Sequence, residues 1–329
     1  MTHNERVQAI VRCGFGEREA RFLVLVMLHS GVCLSRQYCK YVGIVRGEKS
    51  QGFFRELLLR RVVTVCQTAH RHTYLYHVHG KRLYRAIGEA ENRHRRPVTL
   101  ARAIERLMLL DALLTDRERE WLATGREKVE HFGRVTSLPP EKLPRLVFGA
   151  QPTPSLRYFP DKLPIGYSPE DGTHVFLYGI NRADPMEFRG FLHRHAELLR
   201  ALPRWEVRLL VPPHLATISS GYERAVEEEF ATPLAPAQAH DLRWYFEQRR
   251  RVDGGQPAED VLRFETLRKG FAAQRHRALY RAWQRDGDAR IYDATSPVLQ
   301  SALADLGGQV TREMLAHDYL YLSPLVGTA

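Results

Sequence analysis

The sequence predicts a mixed α+β chain of several domains: three helices and a two-stranded ribbon first, a helical connector next, and a small α/β body with added helices last. Three observations carry this. Apolar residues recur at helical spacing through residues 16–61, short β-rich runs replace them at 62–78, and a strand–helix–strand pattern appears at 175–211. At 329 residues the chain also exceeds the usual size of one domain.

Gly16-Glu17-Arg18-Glu19 opens the first helix, with Phe22, Leu23, Val26 and Met27 on one face and Gly31 at its end. Ser35 is the expected cap of a second helix that runs to about Val42 and stops at Gly43. A third helix spans about Gly47 to Arg61. Its apolar stripe is Phe53, Phe54, Leu57 and Leu58; Glu48, Lys49, Gly52 and Arg55 lie opposite, with Gln51 at the edge. Val62-Val63-Thr64-Val65, a polar tip at Gln67 to Thr73, and Tyr74-Leu75-Tyr76-His77-Val78 then give a strand, a turn and a returning strand.

This order, together with Ser50-Gln51-Gly52-Phe53-Phe54-Arg55-Glu56-Leu57-Leu58-Leu59-Arg60-Arg61-Val62-Val63, resembles the winged helix-turn-helix regulators. They repeat an apolar pair, an apolar residue three later, a basic pair and an apolar pair. Arg61 departs from the pattern, since a glycine usually precedes the wing. The resemblance covers residues 17–85 and implies double-stranded DNA as the partner. A helix fits the major groove and can present short polar and basic side chains to base edges. The expected contacts are Arg46 just before the helix, Lys49, Ser50, Gln51 and Arg55 on it, and His70, Arg71 and His72 at the wing tip. Arg93, Arg95 and Arg96 would add phosphate contacts just beyond.

Charge agrees with a polyanion partner. Residues 1–110 hold 20 Lys and Arg against 8 Asp and Glu, an excess of 12; the remaining residues hold 29 against 30. A membrane surface is the competing polyanion, but no amphipathic helix rich in Trp and Lys appears, and no apolar run reaches the ~18 residues of a span. Cytoplasm is the expected compartment. Cys13, Cys33, Cys39 and Cys66 are irregularly spaced and do not read as a disulfide framework. Cys66, His70, His72, His77 and His79 crowd the ribbon, but no paired CxxC makes them a zinc set, and no metal or cofactor is expected.

The expected boundaries are 1–96 for the basic domain, 97–135 for the connector, 136–160 for a Pro-rich linker and 161–329 for the body. Thr99 caps a connector helix with a wide apolar stripe, and Asp116 a second one from Arg117 to about Phe132. Such a pair behind a winged helix is a common dimer surface, so a homodimer is expected. In the body, strands are expected at 175–180 and 207–211 around a helix from Met186 to Leu202. Further helices are expected at 222–230, 237–250, 259–285 and 297–306, with a weak strand at Arg290-Ile291-Tyr292. Arg182, Asp184, Glu187, His193 and His195 read first as the polar face of one helix, with a small-effector site as the alternative.

Tyr158-Phe159-Pro160-Asp161, followed by Gly172-Thr173-His174-Val175-Phe176-Leu177, resembles the replication-relaxation family of mobile-element proteins over about 60 residues. That family implies a winged helix before a restriction-endonuclease-like core, in which a Pro-Asp carboxylate and a later Glu-x-Lys hold a divalent metal. Pro160-Asp161 matches the first element, but the strand Phe176-Leu177-Tyr178-Gly179-Ile180 has neither acid nor lysine. The implied core is catalytically dead. No hydrolase, nucleotide-loop or metalloprotease motif occurs either. The expected function is a sequence-specific, homodimeric transcriptional regulator. A plasmid or mobile-element initiator is the alternative, and a metal-dependent nuclease is the alternative of another class.

Overall fold

The computed structural model describes residues 1–67, 73–148, 155–298, 300, 307–317, 319 and 322. The chain is mixed α+β. It opens with α1 (His3–Val11), started by a reciprocal Thr2–Glu5 capping box, and α2 (Glu17–His29). There follow β1 (Val32–Leu34), α3 (Ser35–Val42), α4 (Glu48–Leu59), β2 (Val63–Gln67), β3 (Tyr74–Val78) and α5 (Lys81–Ala86). The strands form an antiparallel sheet in the order β1-β3-β2, with Leu34 opposite Leu75 and Thr64 opposite His77. An aromatic cluster ties helices to sheet: Phe53 stacks on Tyr38 at 4.2 Å and Phe54 on Tyr76 at 4.0 Å. Gly31 turns the chain from α2 into β1 at φ 73°, where a Cβ would meet the His94 carbonyl oxygen at 2.6 Å.

Next comes α6 (Leu100–Thr115), which is apolar nearly all round and buried on two sides. Leu110 and Leu114 join the core of the first module, beside Phe22 and Leu57. Ala103, Leu107 and Met108 pack with Val32, Leu34 and Leu75 and with Val175, Leu177 and Leu210 of the body. The stripe expected to pair two subunits is therefore covered within the chain. Asp111, 5% exposed, faces α3: Arg36 donates to its two oxygens at 2.8 and 2.7 Å, and the Tyr319 hydroxyl donates at 2.5 Å.

The segment expected to be a second connector helix divides into β4 (Glu120–Leu122) and α7 (Gly125–Val135). Thr124, not Asp116, caps α7, its hydroxyl accepting from the Glu127 amide at 3.1 Å. Within the Pro-rich stretch, β5 (Arg145–Phe148) and β6 (Ser155–Tyr158) pair antiparallel rather than running as a bare linker. The body adds β7 (Ile165–Tyr167), β8 (His174–Gly179), α8 (Met186–Ala201), β9 (Trp205–Val211), α9 (Ser219–Phe230) and α10 (Pro236–Asp253). It ends with α11 (Val261–Gly270), α12 (Gln274–Asp286), α13 (Ala289–Thr295) and β10 (Gly308–Met314). Its sheet runs β10-β9-β8-β7-β4, parallel from β10 to β8 and antiparallel beyond.

Three expectations are corrected here. Residues 290–292 are helical, because Ile291 fills a core with Leu242, Phe246 and Leu279. The helix expected at 259–285 is broken around Phe271. Strand β4, from the connector, belongs to the body sheet, so no boundary separates the two. No described helix is long and apolar enough to cross a membrane.

Asp111→Ala removes the acceptor shared by Arg36 and the Tyr319 hydroxyl, and the expected loss is about 1–3 kcal/mol in urea unfolding. A loss below 1 kcal/mol would show that the pair carries no such role. The pH dependence is set by buried imidazoles. Burial lowers His29 to about 3 and His174 and His195 to about 4. Unfolded histidine takes up a proton near pH 6.5 that these three refuse while folded. Stability therefore falls as pH drops from about 6.5 toward 4, by up to ~1.4 kcal/mol per unit for each ring. Urea midpoints measured across that window would test it.

Candidate nucleic-acid interface

The outer surface of α4 follows from its inner one. Ser50, Phe53, Phe54 and Leu57 are buried, which fixes the rotation of the helix about its axis. Glu48, Gly52, Arg55 and Leu59 then lie on the opposite arc, flanked by Lys49 on one side and Gln51 on the other. Lys49, Gln51 and Arg55 are all exposed, as is Arg46 in the turn before the helix. Leu59 is 77% exposed, an apolar end to this polar face.

Gly52 stands in the middle of that arc. Glycine in a helix interior costs about 1 kcal/mol relative to alanine. Nothing inside the fold requires it, since a Cβ there would meet no atom within 4 Å. A glycine without a packing reason, on the outer face of a helix, leaves room for a close approach from outside the chain.

Ser50 is corrected. It is 1% exposed, and its hydroxyl donates to the Gly47 carbonyl at 2.8 Å while accepting from the Gly47 amide at 3.1 Å. It closes the first turn of α4 and presents nothing to a partner. At the other end Arg61 takes φ 54°, the left-handed conformation that usually follows a helix as glycine. The departure from the winged-helix pattern at this position is thus one of residue type and not of backbone shape.

The remaining expected contacts are scattered. His70, Arg71 and His72 lie outside the described residues. Arg93 is half-buried and donates to the Lys162 carbonyl at 3.0 Å, and Arg95 donates to the Ala90 carbonyl. Both are corrected as contacts to a duplex, because neighbouring carbonyls orient them where the turn at 93–95 lies between His77 of the first module and Lys162 of the body. Burial, with Arg106, Arg157 and Arg102 nearby, lowers Arg93 to about 9. Arg96 is exposed. Of the ribbon histidines, His77 is buried, with Nε2 2.9 Å from the His94 carbonyl. Sequence reasoning passed over Lys81, Arg82 and Arg85, which are exposed on α5. Their signal was the basic run directly after the ribbon.

In the body, the polar residues named around the end of β8 are engaged within the chain. Asp184 caps α8 at the Met186 amide (2.9 Å), Arg182 pairs with Glu187 at 3.0 Å, and buried His195 lies 2.9 Å from the Phe191 carbonyl. Asp161, the carboxylate of the endonuclease-like pattern, is gripped by both nitrogens of the Arg194 fork. Comparison with protein-family models, curated proteins and solved structures found no match to this chain.

Gly52→Ala is expected to raise the free energy of unfolding by about 1 kcal/mol, because it removes a helix-interior glycine into open space. Chemical denaturation gives the answer. A destabilised variant would mean that the glycine serves the fold and not an approaching partner.

Proposed function

We propose that this chain binds double-stranded DNA through a winged helix-turn-helix module in its first ~90 residues, the size of a small domain, and acts as a sequence-specific transcriptional regulator. The observation that carries the proposal is the outer arc of α4. Lys49, Gln51 and Arg55 are exposed around a glycine that leaves the backbone open, on a helix locked from behind by aromatic stacking. The order α2–β1–α3–α4–β2–β3, which sets a ribbon directly after an exposed helix, supports this reading. The charge excess of the first third supports the same reading.

Within it, Gln51 pairs with adenine edges, and Arg55 and Lys49 with guanine edges or phosphates. Arg46, Arg96 and the α5 cations hold the backbone. The reading assigns no catalytic step, since Arg194 occupies the Asp161 carboxylate. Two copies on a two-fold site would have to pair through a surface other than the α6 stripe.

Fluorescence anisotropy on a duplex selected from a random pool, and on a scrambled one, tests the reading. Lys49→Ala and Arg55→Ala are expected to cost about 1–3 kcal/mol on the selected duplex and less on the scrambled one. Gly52→Ala is expected to weaken the selected duplex despite its gain in stability. Equal losses on both duplexes would remove base reading, and no affinity for either would remove the function.

A further inference from the structure

A cavity of about 490 Å³ lies where the first module, α6 and the body meet. The turn at Arg93-His94 closes one side, the first half of α6 another, and Asp161-Lys162 with the start of α8 a third; Arg281 on α12 faces them. It opens at the carboxyl end of β8, beside Tyr178 and Gly179, where sheets with parallel strands usually place their ligands.

Seven basic and three acidic side chains line it. Each acid is engaged: Glu105 by Arg102 at 2.6 Å, Glu187 by Arg182 at 3.0 Å, and Asp161 by Arg194. Among the described residues, Arg93, Arg106, Lys162 and Arg281 have no carboxylate partner. Two of them are positioned by neutral groups instead, Arg93 by the Lys162 carbonyl (3.0 Å) and Arg106 by the Ser30 carbonyl (3.3 Å). Carbonyls orient a guanidinium without cancelling its charge. The cluster is consequently held against its own repulsion: burial and the neighbouring arginines lower Lys162 to about 8.

Two further features lie at its edge. His94 is 3% exposed and lines the cavity, and its buried Nδ1 has no partner. Phe159 and Lys162 take φ 47° and 61°, two of only three such non-glycine residues among those described, and they bracket Pro160-Asp161. Backbone strain concentrated at a turn that aims a lysine into a cavity is a mark of a binding site. The apolar part of the lining comes from Leu109, Tyr178, Met186, Ala278 and Ala282.

We propose that this cavity binds a small molecule carrying two linked phosphates on an organic body, with Arg93, Arg106, Lys162 and Arg281 taking the phosphates and the Tyr178–Met186 wall the body. Its volume suits a ligand of nucleotide size. Arg93 and Arg106 are half-buried, so an entering molecule reaches them and the outside of a duplex does not. The proposal does not rest on the DNA-binding reading and is tested without DNA.

The probes are pyrophosphate and ADP, titrated calorimetrically into the full chain at constant ionic strength, with adenosine as the uncharged control. Both anions are expected to bind and to raise the melting temperature, ADP more tightly, and adenosine is expected not to bind. Lys162→Gln and Arg281→Ala, both at exposed positions, are each expected to weaken both anions by about tenfold or more, the worth of a charge-assisted contact. Arg268→Ala, a charge lost far along the chain on α11, is expected to change nothing. Absence of binding by both anions at millimolar concentration would overturn the proposal. So would binding that ignores Lys162→Gln and Arg281→Ala, or anion binding that duplex DNA displaces and these variants spare. ADP binding no tighter than pyrophosphate would overturn the assigned organic half.

Discussion

The structure depends on one helix being buried from two directions. α6 contributes to the core of the first module and to the core shared with the body sheet, and Asp111 would be intolerable there without partners. Arg36 from α3 and the hydroxyl of Tyr319 supply them, so residues more than two hundred positions apart in the chain meet on one carboxylate. Gln37 adds a bond to the Leu107 carbonyl at 3.0 Å, which fixes α3 along α6 as well as against it. The first module is thus built into the body rather than tethered to it. An apolar stripe that looks like a subunit interface on paper is consumed in doing this.

That arrangement also redistributes the positive charge of the first third. Some of it reaches the surface, on α4 and α5. Some is tied down: Arg60 donates to the Cys13 and Gly14 carbonyls at 2.7 and 2.9 Å and lies 4.4 Å from the centre of the Phe15 ring. Some turns inward, as Arg93 and Arg106 do. A charge count made along the sequence treats these as equivalent, whereas all three classes add to the field that a duplex feels at long range and only the first presents its charged groups for direct contact.

The same distinction explains what was legible beforehand. Local patterns carried well: the Ser35 to Gly43 helix, although Leu34 and not Ser35 is its cap, the stripe of Phe53, Phe54 and Leu57, although Leu58 is 40% exposed, and the Val175 and Val207 strands either side of a helix. Elements whose cause is distant did not. Strand β1 is three residues long and exists because Leu34 finds Leu75 forty-one positions later. Strand β10 reads as Gln-Val-Thr-Arg-Glu-Met, too polar for a core strand, and forms because β9 offers an open edge; Gly308 is needed there, as a Cβ would overlap the Trp205 ring. At the candidate interface, residue type was readable and orientation partly so. Ser50 has the right chemistry for DNA, but the demand of Gly47 for a cap takes it first. The small-effector alternative had named Glu187 and His193, which line the cavity, but not its cations, because these come from residues 93, 106, 162 and 281 and only the burial of α6 gathers them.

A continuous run of contacts joins the two proposed sites. Arg106 reaches from the cavity to the Ser30 carbonyl at the end of α2, Asp111 one turn further along α6 holds α3, and Tyr38 of α3 stacks on Phe53 of α4. Contiguity alone transmits nothing, since coupling needs an element with two arrangements that both ligands bias. The packed aromatic and α6 cores are poor hinges. In the cation cluster, by contrast, repulsion opposes the fold until a counter-charge arrives. A polyanion there would relieve that repulsion and at the same time withdraw positive potential from the module that faces DNA. Two polyanions drawing on one pool of charge oppose each other through the field, to an extent set by their separation and by salt, without any movement of α4.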